Sequence, residues 1–128
     1  MSRRFNLVLH HSPKAEDAHY DLFLEQADGL FSLRVERSPD PDWASFVVGA
    51  RQFDHRKRYL DYEGPISGDR GWIERVDSGQ MSGEPGADAV LRFEGELLSG
   101  SYVLRALGEE RYRLHAIMKR PGAQRASP

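Results

Sequence analysis

Apolar and polar residues alternate with a period of two along most of the chain. Phe5, Leu7 and Leu9 share one parity, and Asn6, Val8 and His10 share the other. Tyr20, Leu22 and Leu24 alternate with His19, Asp21, Phe23 and Glu25, and Phe31, Leu33 and Val35 alternate with Ser32, Arg34 and Glu36. Similar runs cover Gly71 to Val76, Ala89 to Phe93, Leu97 to Leu104 and Tyr112 to Met118. Successive side chains leave a strand on opposite faces, so each run predicts a half-buried β-strand. Turn signals such as Asp28-Gly29, Gly64-Pro65, Asp77-Ser78-Gly79, Gly95 and Gly108 separate the runs, at roughly the 8–12-residue spacing of sandwiches and barrels.

No segment carries a long helical stripe. The pattern allows one short helix, after the Ser38-Pro39-Asp40-Pro41-Asp42 turn, over Trp43 to Val47. About eight short antiparallel strands must close on themselves or pack double to bury their apolar faces. The expectation is therefore all-β: a single closed or nearly closed antiparallel β-barrel with at most one or two short helices. Residues 1–120 form this domain, and 121–128, lacking an apolar face, are expected to be a disordered tail.

The 128 residues fit one domain and suffice for a real core without cross-links. Cysteine is absent, which excludes disulfide scaffolds, Cys-ligated zinc, iron–sulfur clusters and thiol catalysis. Lys plus Arg is 18 against 20 Asp plus Glu, a formal net charge of −2. No global cationic field favours nucleic acid, so any phosphate contact must come from a local patch. The start lacks a signal-peptide core and no apolar stretch approaches a membrane span, which predicts a soluble, cytoplasmic protein without a membrane partner.

Candidate chemistry concentrates in two places. His10, His11 and His19 lie near the start, and Asp21 follows His19 by two residues on one predicted strand. Both side chains then leave the same face, with α-carbons roughly 6–7 Å apart. A third ligand, His10 or His11, would come from the neighbouring strand; two His and one Asp suit Mn²⁺, Fe²⁺ or Zn²⁺. The plain alternative is a hydrogen-bonded surface pair. The second place is Arg51 to Gly64, which concentrates Arg51, Arg56, Lys57 and Arg58 with His55, Tyr59 and Tyr62. These groups can bind phosphate oxygens or stack on a base, or can simply solvate a sheet end.

The run Phe5 to His11, followed by His19-Tyr20-Asp21-Leu22-Phe23-Leu24-Glu25, resembles a signature in which a strand ends in His, a short loop follows, and the next strand reads H-Y-D-F-R-L-E. That signature belongs to the 3′-phosphoesterase domain of bacterial DNA ligase D. Asp54-His55 with Tyr59, Tyr62-Glu63-Gly64-Pro65-Ile66, Gly71, Asp77-Ser78-Gly79, Phe93 to Gly100 and Tyr112 to Arg120 follow in the same order, so the likeness spans residues 5 to 120. The resemblance implies a β-barrel, Mn²⁺-dependent hydrolase of DNA repair. Such an enzyme removes a terminal ribonucleoside and then the remaining 3′-phosphate from DNA or RNA–DNA ends.

On this resemblance, His19, Asp21 and one of His10 or His11 hold the metal, strand parity favouring His10. His55 and Tyr59 fall where the family places groups that contact the phosphate and are the catalytic candidates. Arg37 falls near a family lysine and, with Arg51, joins His55 and Tyr59 as a phosphate-binding candidate. The implied partners are nucleic-acid 3′ ends and a separately encoded ligase or polymerase. One departure matters: Phe23 stands where the family carries an arginine. Arg34, Arg51, Arg56 and Arg58 are the guanidinium groups that could reach in instead. A chain without that arginine also fits a non-catalytic module of the same fold that binds nucleic-acid ends or a repair partner.

Overall fold

The computed structural model describes residues 3–14, 17–36, 42–53, 57–66 and 70–117, without the side chains of Glu36 and Arg58. Among the described residues there are nine strands, seven on the alternating runs and two, β4 and β5, outside them: β1 (Arg3–His11), β2 (His19–Gln26), β3 (Gly29–Glu36), β4 (Phe46–Gln52), β5 (Gly64–Pro65), β6 (Trp72–Ser82), β7 (Ala89–Glu94), β8 (Ser99–Gly108) and β9 (Arg111–Ala116). Every pairing is antiparallel. The order β1-β2-β3-β4-β9-β8-β7-β6 closes through a β6–β1 ladder into an eight-stranded barrel, with β5 added on β6. Closure leaves no edge strand within the barrel wall, which is how a small all-β chain satisfies its backbone. The tail beyond residue 117 lies outside the described residues.

The inner parity of each strand fills the barrel. Phe5 and Leu7 of β1, Leu22 and Leu24 of β2, and Phe31 and Leu33 of β3 meet Phe93, Leu104 and Leu114 from the far wall. Phe5 and Phe93 pack edge to face at 5.0 Å. The outer parity is also apolar over one sector. Val8, Phe23, Leu30 and Ile73 form a second cluster beneath Leu60, with Tyr59, Tyr62 and Ile66 against it. The 3₁₀ turn Lys57–Leu60 carries Tyr59 and Leu60 onto this sector.

Burying a Leu or Phe contributes about 2 kcal/mol, against about 1 kcal/mol for one hydrogen bond. Apolar burial therefore holds the 3₁₀ segment down, and polar contacts set its position. Fully buried Asn6 donates from Nδ2 to the Tyr59 carbonyl at 2.9 Å. Its Oδ1 accepts from Arg75 Nε at 3.3 Å, and Arg75 Nη2 donates to the Asp61 carbonyl at 3.0 Å.

Two local expectations are corrected. Trp43 to Val47 is no helix: residues 43–45 form a turn and β4 begins at Phe46. The segment finds its backbone partners across the wall, because Val47 pairs with Leu114 and the Ser45 carbonyl accepts from the Ala116 amide. β-Branched Val47 and Val48 also favour an extended chain. Asp77-Ser78-Gly79 is no loop: it lies inside β6. Leu7 pairs with Asp77 but Val8 with Arg75, so Val76 is the extra residue of a β-bulge.

The buried Asp77 carboxylate sits where that bulge bends the strand. Its Oδ1 accepts the amides of Ser78 and Glu96 at 3.0 and 2.9 Å, and its Oδ2 those of Leu97 and Leu98, both at 2.9 Å. A carboxylate acceptor makes these stronger than neutral bonds. Gly95 is required beside it, since a side chain there runs into the Asp77 carboxylate. Asp77→Ala is expected to lower stability by about 3 kcal/mol, because four amides, that of Leu98 buried and the others partly buried, lose their acceptor at once. Urea unfolding measures this, and a loss under about 1 kcal/mol contradicts the role.

Across the same core, the Tyr102 hydroxyl donates to the Trp43 carbonyl at 2.8 Å. Burial pushes the Tyr102 phenol above its ordinary value of 10.0, and the charges of Asp77 and Asp42 push the same way. The folded state thus holds this proton more tightly than the unfolded state. The resulting stability is complete below pH ~10 and is lost as pH rises from there through the folded value. Tyr102→Phe is expected to cost about 1 kcal/mol at neutral pH. It should also flatten the fall in Tm above pH ~10 relative to the parent chain. Parallel alkaline slopes would refute that assignment.

Candidate metal centre

His10 lies directly opposite His19 in the β1–β2 ladder. Direct cross-strand partners share a face, as do residues two apart on one strand. The register therefore places His10, His19 and Asp21 together on the outer face of the wall, the face of Val8 and Phe23. The two imidazole rings meet at 4.7 Å between centroids, inclined at 62°. One ligand atom from each of the three residues lies within 4.8 Å of the others.

The hydrogen bonds around the rings determine which nitrogens face inward. His19 Nδ1 lies 3.2 Å from the Asp17 carbonyl, and His10 Nε2 lies 3.1 Å from the Arg70 carbonyl. A carbonyl oxygen only accepts, so each of these nitrogens carries the proton. In the neutral rings, the lone pairs are then on His19 Nε2 and His10 Nδ1. His19 Nε2 is buried with no hydrogen-bond partner, although it sits 3.2 Å from Asp21 Oδ2. A lone pair facing a carboxylate oxygen at that distance is repulsive. The contact is favourable only with a positive species between or on them, a proton on the ring or a cation in the cleft.

The donor set fits a divalent transition ion. Two imidazoles and one carboxylate leave coordination positions open, and each imidazole is oriented by a backbone carbonyl, as metal-bound histidines commonly are. The other Asp21 oxygen, Oδ1, accepts from Arg34 Nε at 3.4 Å. Asp21 and Arg34 are direct partners in the β2–β3 ladder, which brings the guanidinium to the same face.

The structure separates the remaining candidates. His11 is not part of the group: its Nε2 is 2.7 Å from Glu74 Oε1, and its ring stacks at 4.4 Å on half-exposed Trp72. Tyr59 stacks on Phe23 at 5.3 Å, which seats it on the outer face one same-face position along β2 from Asp21. Arg51 pairs with Leu33 and so takes the inner parity, opposite to Asp21. Its guanidinium covers the Phe31 ring at 4.2 Å, and the structure does not bring it to the group. His55, Arg37 and Arg56 lie outside the described residues.

A scan of the chain against protein-family models gives no match, and a search of curated proteins gives none. Among the described residues, no helix is long and apolar enough to cross a membrane. Two backbone groups of the site escaped sequence reasoning, and one side chain was left unsorted among several. The Asp17 and Arg70 carbonyls carry no side-chain signature and become visible only once the loops are placed. Arg34 was one of four arginines of equal standing, and only the β2–β3 register singles it out.

The arrangement generates a discriminating measurement. His10→Ala is expected to weaken Mn²⁺ binding at least about a hundredfold, and His11→Ala to leave it within about threefold. Titration calorimetry checks both. Equal losses in the two variants would show that the ring selected by register is not the one that binds.

Proposed function

We propose that this chain is a divalent-metal-dependent phosphoesterase. It acts on nucleic-acid 3′ ends in DNA repair, removing a 3′-phosphate or a 3′-terminal ribonucleoside, with Mn²⁺ held by His10, His19 and Asp21. The observation that carries this reading is the buried, unpartnered His19 Nε2 facing the Asp21 carboxylate beside His10. The ordered motifs shared with the 3′-phosphoesterase domain of DNA ligase D supply the reaction.

When bound, the ion supplies Lewis-acid polarisation of a phosphate oxygen and activation of a water nucleophile at neutral pH. The chain's own groups do the rest. The Asp17 and Arg70 carbonyls lock both imidazoles in the tautomer that turns a lone pair inward. Tyr59, braced by its stack on Phe23, is the candidate to contact a phosphate oxygen as charge develops there. His55 follows from the resemblance as the group that protonates the leaving oxygen, a task suited to an imidazole that titrates near neutrality. Arg37 follows in the same way as a further phosphate contact. A cytoplasmic setting beside a separately encoded ligase or polymerase completes this reading.

One observation favours a second reading. Phe23, in place of the family arginine, is committed to apolar packing with Tyr59, which suits a module that binds nucleic-acid ends without cleaving them. A labelled primer–template with a 3′-phosphate or one 3′ ribonucleotide separates the two. The enzyme reading expects Mn²⁺-dependent loss of the end group. His19→Ala or Asp21→Ala should slow that loss by on the order of a thousandfold. Intact ends together with a gel shift establish the module.

A further inference from the structure

We infer that Arg34 is the phosphate-orienting cation of this site, and that it makes a phosphate monoester dianion the preferred ligand over a diester. The inference rests on the metal-dependent phosphoesterase reading and adds a ligand class to it.

Arg34 enters from β3, not from the strand that carries the histidine and the aspartate. Its side chain is 40% exposed and its Nε meets Asp21 Oδ1, while the opposite carboxylate oxygen faces His19. The guanidinium thus lies at the rim of the cleft, one end tied to the group and the remainder open to solvent. A guanidinium anchored through Nε keeps its terminal nitrogens in a planar fork suited to two oxygens of a phosphate.

Neighbouring positions on this face point the same way. Phe23, the next same-face residue of β2 after Asp21, is a buried ring stacked on Tyr59, and its cross-strand partner Ser32 is buried. Neither supplies charge. Formal charge then decides the ligand. The Arg34 guanidinium adds one positive charge beside the Asp21 carboxylate. A monoester dianion gains twice the Coulomb attraction from that added charge that a diester monoanion gains. At a rim partly screened from water, that difference is enough to discriminate the two.

The test uses the full chain. Mn²⁺ binding is first measured for the parent and for Arg34→Gln. Methyl phosphate and dimethyl phosphate are then titrated against each loaded protein by phosphorus NMR relaxation. The parent is expected to bind methyl phosphate about tenfold more tightly than dimethyl phosphate. Arg34→Gln should lose about tenfold for methyl phosphate and leave dimethyl phosphate and Mn²⁺ within about threefold. Phe23→Arg placed in the Arg34→Gln background should recover methyl phosphate binding, because it returns a guanidinium to the same face. If Arg34→Gln binds Mn²⁺ and methyl phosphate as the parent does, the inference falls and the phosphoesterase reading stands. If the parent binds no Mn²⁺, the phosphoesterase reading falls and takes this inference with it.

Discussion

The placement of His10 opposite His19 in the β1–β2 ladder is the constraint on which the rest depends. It holds because β1 cannot slide. Its residues are hydrogen-bonded to β2 on one side and β6 on the other, and Phe5 to Val8 are buried on both faces. A slip by one residue would exchange Phe5 and Leu7 with Asn6 and Val8, placing an amide in the barrel and aromatic bulk under the 3₁₀ turn. The energy that fixes the core therefore also fixes the imidazole pair. The three grouped side chains come from the penultimate residue of β1 and the first and third residues of β2.

The outer apolar sector gives this small barrel a second storey. Strand faces that would otherwise meet water are covered by Tyr59, Leu60, Tyr62 and Ile66, and the covering segment ends close to the histidines. Phe23 is part of that cover. At this position an apolar ring tightens the seat of Tyr59, and the cation beside Asp21 comes from the neighbouring strand. Lys57 adds a tie at the far side, donating to the Ala27 carbonyl of the β2–β3 turn.

Much of this was legible in the chain. The alternation of Phe5 to His10, Tyr20 to Glu25 and Phe31 to Glu36 gives the strands that build the site, and the parity of His10 with Asn6 and Val8 gives the correct face. Parity already favoured His10 over His11, and the structure adds the register that sets His10 opposite His19 and the Glu74 carboxylate that occupies His11. β4 was obscured because its alternation is interrupted by Gly49 and merges into the charged residues after Arg51. Asp77-Ser78-Gly79 carries ordinary turn chemistry; what keeps it extended is a long-range set of amides from residues 96–98 that no local pattern announces.

The bulge at Val76 changes which face of β6 looks into the barrel. On its C-terminal side, odd-numbered β6 residues such as Met81 point into the barrel; on its N-terminal side, odd-numbered Ile73 belongs to the outer cluster. One surplus residue thus switches the strand from one side of the wall to the other. Chain length in this stretch consequently carries as much information as residue type. A deletion there, even of a residue with no chemistry of its own, would turn Ile73 inward and Trp72 outward, and would rebuild the ground on which the histidines stand.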